Sequence, residues 1–296
     1  MSIIKYRKVF FVFSGLLILA SIICLVLWQL NFNIDFKGGS LAEIKWINQP
    51  PSNQEVQDSL SLLDLGNINV QPTGEKGMIL RLKDIDDNTY QEILNILKDK
   101  FGDLEEMRFE SVGPVIGAEL KKKASWSVFL AVIAILLYVA WAFRKVSFPI
   151  KSYRYGIVAI IALFHDVLIT IGVFSFLGHF YGIEVGAPFV AAILTILGYS
   201  VNDTIVVFDR IRENLLSFRS KNQEFSDTVD QSLKQTITRS INTSITTLLV
   251  LFAIFFFGGI TIKFFALALI IGIILGTYSS IFIASPLLVV WEKRRK

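Results

Sequence analysis

The sequence predicts an α-helical membrane protein with six transmembrane helices, plus a small α+β domain of ferredoxin-like (βαββαβ) type between helices 1 and 2. Hydrophobic residues make up 53% of the 296-residue chain, above the roughly 45–50% of a soluble domain, and the mean hydropathy is +0.57. Several apolar runs reach the length of about 20 residues that a helix needs to cross a bilayer. Residues 31–123 differ in composition, because they hold most of the acidic residues.

The charge pattern fits a membrane protein better than a nucleic-acid-binding one. The net charge is +4, but the basic residues cluster at the edges of apolar runs, as the positive-inside rule predicts. The single cysteine, Cys24, cannot form a disulfide within the chain. Neither histidine lies in a Cys/His cluster, so we expect no zinc site and no other cofactor.

Residues 1–30 predict a cytoplasmic N-terminus followed by the first span. Lys5, Arg7 and Lys8 precede an apolar run at 9–30. That run is longer than the hydrophobic part of a signal peptide, and no small-residue cleavage site follows it. We therefore interpret it as a membrane-spanning helix.

Residues 31–123 predict an extracytoplasmic domain in which two helices cover one face of an antiparallel sheet. Alternating and helical patterns of apolar residues define its elements. The expected strands are 40–46, 68–71, 78–82 and 104–110, and the expected helices are 53–64 and 89–101.

Residues 124–296 predict the remaining five spans. Their apolar cores lie at 124–143, 155–177, within 189–214, at 240–257 and at 264–291. The loop 144–154 has four basic residues and no acid, so we expect it in the cytoplasm, whereas 178–188 has no lysine or arginine. Both chain termini are then cytoplasmic.

The segment 211–238 is expected to form a longer cytoplasmic loop. Within it Phe225, Val229 and Leu233 repeat every four residues, after a plausible N-cap at Ser226. This pattern predicts a separate helix on the membrane surface. The polar first turns of the fifth span could bond to a neighbouring helix, and small residues in the sixth, including Gly272 and Gly276, suit close helix contact.

Asp203 is the strongest candidate functional residue. It lies beside Asn202, 14 residues after position 189, which is roughly 21 Å along a helix. A charged side chain within a span costs about 2.5–3.5 kcal/mol on insertion scales and is functional by default. We interpret Asp203 as a proton-binding carboxylate; the alternative is a structural hydrogen-bond partner for another helix.

Three further groups are candidates with a structural alternative. Asp166, which follows His165 near mid-depth of the third span, is either a second relay group or a packing contact. Arg239 begins the fifth span and is either a counter-charge for Asp203 or an anchor at lipid head groups. Asp209 and Arg210 are expected to belong to an interfacial salt-bridge network.

Asp35 is followed by Gly38 and Gly39, but this is not a phosphate-binding loop. It lacks the Lys-Ser/Thr ending and leads into a strand instead of a helix. No nucleophile–base pair and no metal-ligand spacing is visible in the sequence, so we expect no enzyme.

Four segments together resemble the SecF family, the smaller membrane subunits of the bacterial SecDF translocase accessory, in the resistance-nodulation-division superfamily. They are FNIDFKGGS at 32–40, VGPVIGAEL at 112–120, ALFHDVLITIG at 162–172 and GYSVNDTIVVFDRIREN at 198–214. A weaker match, TITRSINTSITTLL, contains Arg239. The resemblance covers essentially the whole chain.

The resemblance implies a heterodimer with SecD, here a separate polypeptide, beside the SecYEG channel and, in many bacteria, YajC and YidC. Such a complex uses the proton motive force to promote translocation of unfolded preproteins and their release, after the ATP-driven step of SecA. It implies that Asp203 is the proton carrier, that Arg239 is the basic position of the fifth span, and that Asp166 belongs to a His-Asp motif. Further family-motif positions are Asp35, Gly38, Gly39, Asn202, Asp209 and Arg210.

Two other functions remain open from the sequence. The chain could be half of a proton-coupled exporter of small molecules or lipids, or a non-transporting membrane assembly scaffold in which Asp203 joins helices. The coupling ion could be a proton or sodium, because a buried carboxylate can bind either. The substitution Asp203→Asn would distinguish a scaffold from a proton-coupled machine, because it should preserve the function of a scaffold and abolish proton-coupled work.

Overall fold

The computed structural model describes residues 3–144, 152–217 and 224–293. The chain divides into two compact units, Phe32–Ser125 and a second one that joins Met1–Asn31 to Trp126–Lys296. The second unit is helical, and the first contains a four-stranded antiparallel sheet. The prediction of a mostly helical chain with a small antiparallel sheet is therefore confirmed.

Six helical segments of the described chain are long and apolar enough to cross a membrane, which confirms the predicted number. Their helices are α1 (Arg7–Trp28), α5 (Pro114–Ala142), α6 (Ser152–Tyr181), α7 (Ala187–Ser217), α8 (Phe225–Phe257) and α9 (Ile260–Ser279), which continues through a π-helical turn (Ser280–Ala284) into α10 (Ser285–Lys293). A 3₁₀ turn (Ile4–Tyr6) precedes α1.

Three of the six candidate spans form the interior of the helical unit. In the most apolar windows of α6, α7 and the last span, 56%, 50% and 61% of residues are buried, against 11%, 6% and 17% in α1, α5 and α8. The buried polar side chains of a spanning unit need partners inside it, because lipid offers none. The interior helices are therefore where a functional site should be sought.

Glycines allow the interior helices to approach closely, as the sequence predicted for α9. A Cβ on Gly272 would overlap the Ile196 side chain of α7, and one on Gly276 would lie 3.0 Å from Cβ of Ser200. Such small-residue contacts are typical of helix packing in membranes. This approach lets Ser200 of α7 and Ser279 of α9 contact the same side chain of α6, that of Asp166.

The prediction of a separate membrane-surface helix after residue 224, capped by Ser226, is wrong in two respects. α8 is one continuous helix from Phe225 to Phe257, since no Gly or Pro interrupts it. The N-cap is Glu224 instead of Ser226, whose hydroxyl donates to the Glu224 carboxylate. The apolar face containing Phe225 and Val229 is buried in the protein core, so it is not available to lie on a membrane.

The expected loop 211–238 is therefore largely helical. α7 extends to Ser217 and α8 begins at Phe225, while residues 218–223 lie outside the described part of the chain. Most of the loop 144–154, namely 145–151, and the C-terminal residues 294–296 also lie outside it.

The smaller unit follows the predicted order of strands and helices. Its elements are α2 (Ile34–Lys37), β1 (Gly39–Trp46), α3 (Asn53–Leu60), β2 (Asn69–Thr73), β3 (Gly77–Leu82), α4 (Asp87–Phe101) and β4 (Leu104–Val112). The strands pair antiparallel in the order β2-β3-β1-β4. Helix α2 was not predicted, and α3 ends at Leu60 instead of residue 64. A capping box starts α3, where the Ser52 N–H and hydroxyl lower the pKa of Glu55.

Gly38 and Gly39 have a structural role in this unit. Both have positive φ, 77° and 122°, which favours glycine. A Cβ on Gly38 would lie 2.7 Å from Cα of Pro114, and one on Gly39 2.7 Å from the Leu82 carbonyl oxygen. Nearby, the Asp35 N–H donates to the Asn33 side chain at 3.0 Å, capping α2. The two glycines therefore let the chain before β1 pack closely against Pro114 and the end of β3.

Candidate functional site

Asp203 lies on α7, inside the helical unit, and only 8% of it is exposed. Its Oδ2 accepts a hydrogen bond from the hydroxyl of Ser280, the first residue of the π-helical turn. Ser240 of α8 lies beside the same carboxylate, although its buried hydroxyl makes no hydrogen bond of normal geometry within the described chain. Asp203 is thus a buried carboxylate contacted by hydroxyl groups of the last two spans.

Asp166 on α6 is completely buried and has three side-chain partners. Ser200 of α7 and Ser279 of α9 donate to its Oδ2 at 2.6 and 2.7 Å. His165 Nδ1 lies 2.8 Å from its Oδ1. The side chains of these two consecutive residues therefore contact each other.

The second ring nitrogen of His165, Nε2, does not contact Asp166. Nε2 is buried and has no hydrogen-bond partner among the residues that the structure describes. The imidazole stacks at 6.1 Å on the ring of Tyr278, whose hydroxyl donates to the Phe10 carbonyl and accepts from Ser14. The site is thereby connected to α1.

The two carboxylates share one polar layer across α6, α7 and the last span. Ser200, which contacts Asp166, lies one turn before Asp203 on α7, and the contacting Ser279 and Ser280 are consecutive. The structure therefore brings Asp166 and Asp203 into neighbouring hydrogen-bond systems.

The polar first turns of α8 face two ways. Ser244 bonds inward, accepting from Tyr199 at 3.1 Å and lying 2.5 Å from the Thr277 hydroxyl. This confirms the predicted interhelical hydrogen bonding. Arg239, in contrast, is exposed and makes no ion pair with Asp203 in the described contacts. Its function as a counter-charge stays a prediction, and Asn202 is likewise exposed.

The predicted salt-bridge network at the end of α7 consists of two ion pairs. Arg212 pairs with Asp209 and Arg210 with Glu213, each at 2.6 Å. Arg210 Nε also donates to Gln235 of α8 at 2.6 Å. Both ion pairs therefore lie within α7, and Arg210 also links this helix to α8. All four side chains are partly exposed, so they do not belong to the buried site.

Three residues of the site were not predicted from the sequence: Ser200, Ser279 and Ser280. Ser279 and Ser280 follow Gly272 and Gly276 among the small residues of the sixth span. Their signal was available in principle, because hydroxyls in apolar spans tend to bond between helices. The partners, however, are set by tertiary packing.

Chemically, the arrangement can hold a proton or a small cation. Two buried carboxylates face hydroxyl donors, and no lysine or arginine contacts either of them in the described chain. No group of three or more His, Cys, Asp or Glu side chains suited to a metal ion occurs among the described residues.

Known proteins of one family match most or all of this chain. Residues 92–294 match the family described as "Protein export membrane protein SecD/SecF, C-terminal". The protein translocase subunit SecF of Thermobaculum terrenum is 45% identical, covering 99% of this chain and 94% of the relative. That of Anaerolinea thermophila is 40% identical with the same coverage, 99% and 94%.

Two crystal structures are also similar. SecDF from Thermus thermophilus, described as a translocon-associated membrane protein, matches with a TM-score of 0.84 and 31% identity. It is covered to 39%, and this chain to 99%. SecDF in a super-membrane-facing form gives a TM-score of 0.71 and 33% identity, covering 100% of this chain and 39% of that one. The chain thus spans about two fifths of the length of these SecDF chains.

Proposed function

Since this chain belongs to the SecD/SecF family of protein-export membrane proteins, we propose that it is the SecF-type subunit of a Sec translocase. Its relatives are named for translocation and not for catalysis. In this function it pairs with a separate SecD chain and works beside SecYEG, with YajC and YidC as further partners. The proton motive force then promotes movement of the unfolded preprotein through SecYEG and its release, after the ATP-driven step of SecA.

The observation that carries the proton-coupling step is the burial of Asp203 against Ser280 without a basic partner in the described contacts. A charge at this depth is costly unless it is neutralised, and a proton does this directly. Each proton that crosses releases about 2.3 kcal/mol per 100 mV of membrane potential. Work results only if the proton binds two conformations with different affinity. Asp166 and Arg239 are the further proposed members of this pathway.

We further propose that the protein lies in the bacterial inner membrane with both termini cytoplasmic and residues 31–123 outside. The Ile3 N–H donates to Asp230 near the start of α8 at 2.7 Å, which supports a common membrane face for these two segments. Basic residues before and at the start of α1 favour the cytoplasm for that face. The order β2-β3-β1-β4 supports a ferredoxin-like arrangement for the outer domain.

The test is secretion of a reporter protein by membrane vesicles carrying Asp203→Asn, with a proton gradient imposed and then collapsed. The variant must be shown to be folded and bound to SecD. We expect it to lose the gradient-dependent part of secretion and to keep the rest. Asp209→Asn is the matched control, since it makes the same change at the exposed end of the same helix.

Other outcomes identify the competing functions. Unchanged gradient dependence in Asp203→Asn would make Asp203 a structural residue and favour a scaffold. If vesicles that lack this protein secrete the reporter as well as vesicles that contain it, the result would favour an exporter of small molecules or lipids. Replacing the proton gradient by a sodium gradient in the same vesicles identifies the coupling ion.

A further inference from the structure

Two consecutive hydroxyls of the last span contact the two buried carboxylates, one each. Ser279 donates to Asp166 Oδ2 at 2.7 Å, and Ser280 donates to Asp203 Oδ2. Both serines are completely buried. Since Asp166 is on α6 and Asp203 on α7, the last span is the element that contacts both.

Each of these hydroxyls also has a second acceptor within reach. Ser279 Oγ lies 3.2 Å from the Gly276 carbonyl oxygen, and Ser280 Oγ lies 3.0 Å from that of Thr277. A serine hydroxyl has one hydrogen to donate and lone pairs to accept with. Each serine can therefore donate to the carboxylate or to its own helix, but not fully to both.

We propose that Ser279 and Ser280 are positioning residues that form a hydrogen-bond switch for the two carboxylates. The proposal rests on the proposed function, in which Asp203 exchanges protons. While the carboxylate is charged, the serine donates to it. Once the carboxyl group is protonated, its O–H donates to the serine oxygen, and the serine hydrogen turns to the helix carbonyl. In neither state does the serine hydroxyl or the carboxyl oxygen that it contacts lack a hydrogen-bond partner, which would be costly in a spanning unit.

The π-helical turn positions Ser280 beside Asp203. Pro286 has no N–H to give to the Phe282 carbonyl four residues earlier, so regular α-helical bonding cannot continue there. The wide turn begins at Ser280, and the Ser285 hydroxyl donates to the Ser280 carbonyl at 2.9 Å. Such turns within α-helices are frequent at functional sites. Because the two serines share one backbone segment, a change at one carboxylate can affect the other.

Within the described chain, the other polar groups near the two carboxylates do not combine a hydrogen bond to the carboxylate with a second acceptor on their own helix. Ser240 of α8 lies beside Asp203 but makes no well-formed bond in the described structure. Ser200 of α7 donates to Asp166 alone in the described contacts, and His165 of α6 bonds its other oxygen. Arg239, the basic side chain of α8 closest in sequence to Ser240, is exposed.

The test is infrared titration of the carboxyl stretching band in the full chain, reconstituted in lipid with SecD. Subtracting the spectrum of Asp203→Asn isolates the Asp203 signal. In Ser280→Ala the charged form loses a donor, so Asp203 should take up its proton at a pH about 1–2 units higher than in the wild type. Ser175→Ala is the matched control, because that buried hydroxyl donates to the Cys24 and Gln29 carbonyls, and it should leave the midpoint unchanged.

An unchanged Asp203 midpoint in Ser280→Ala overturns the switch while leaving proton coupling intact. An Asp203 band that never titrates in the wild type refutes the proposed function, and the switch with it. If Ser280→Ala does not assemble with SecD, Ser279→Ala decides. Its Asp166 signal, assigned with Asp166→Asn, should change in titration midpoint or band position; identity with the wild type in both overturns the proposal.

Discussion

At the scale of single residues, the absence of a side chain at Gly276 is what lets the polar layer form. A Cβ there would lie 3.0 Å from Cβ and 3.2 Å from Cα of Ser200, and Ser200 is a donor to Asp166. A larger residue must therefore push α9 away from α7. The hydrogen bonds from Ser200 and Ser279 converge on one carboxylate oxygen, so they depend on that spacing.

Gly276→Ala should accordingly lower both stability and gradient-dependent secretion. Overpacking of a close contact costs about 1–3 kcal/mol, and we expect a lower unfolding temperature of the purified protein in detergent. Gly198→Ala is the control on α7, because a Cβ at Gly198 would meet nothing within 4 Å. If both variants unfold at the same temperature as the wild type, the α7–α9 approach is not limited by Gly276.

At the scale of elements, hydrogen bonds to Asp230 join the N-terminal turn to α8 near its start. Asp230 is 7% exposed, and its Oδ1 accepts from the N–H groups of Ile3 and Ile4 at 2.7 and 3.5 Å. Its Oδ2 pairs with Lys234 at 2.9 Å. A carboxylate that accepts backbone N–H groups makes charge-assisted bonds, which are stronger than neutral ones.

Asp230→Ala should therefore release the N-terminal turn while the spans remain folded. Hydrogen bonds to a charged group contribute about 1.5–3 kcal/mol each, enough to change the population of a docked turn. A spin label at Tyr6→Cys, in a Cys24→Ser background, should become more mobile. Asp227→Ala is the control, because it removes a carboxylate from the first turn of α8 that makes no hydrogen bond to the N-terminal turn in the described contacts. Equal mobility in both variants would contradict the assignment.

The sequence predicts those elements that neighbouring residues determine, and it does not predict contacts that depend on tertiary packing. The six spans and four strands follow from hydropathy and alternation, which neighbouring residues determine. The continuity of α8 was missed because its first turns are amphipathic like a surface helix, yet their apolar face packs in the core. The partners of Asp166 could not be predicted, since Ser200 and Ser279 are 34 and 113 residues away in sequence.

At the scale of the whole molecule, α8 presents a polar face outward from a unit that spans a membrane. Arg239, Asn242, Thr243 and Thr246 are exposed within or beside its apolar run. The two threonine hydroxyls donate to carbonyls of their own helix, but the arginine and the asparagine would be costly against lipid. We therefore expect a protein partner to cover this face of α8, and the proposed partner is SecD.

A photoactivatable thiol reagent attached at Asn242→Cys, in a Cys24→Ser background, should form an adduct with SecD in native membranes. The matched position is Phe129→Cys on α5, which is 53% exposed among apolar neighbours and should label lipid. Aromatic and aliphatic side chains are stable in hydrocarbon, so α5 has no comparable need to be covered. SecD adducts at Phe129 and not at Asn242 would assign the partner to α5, and the polar face of α8 would then have to line water or contact the translocation channel.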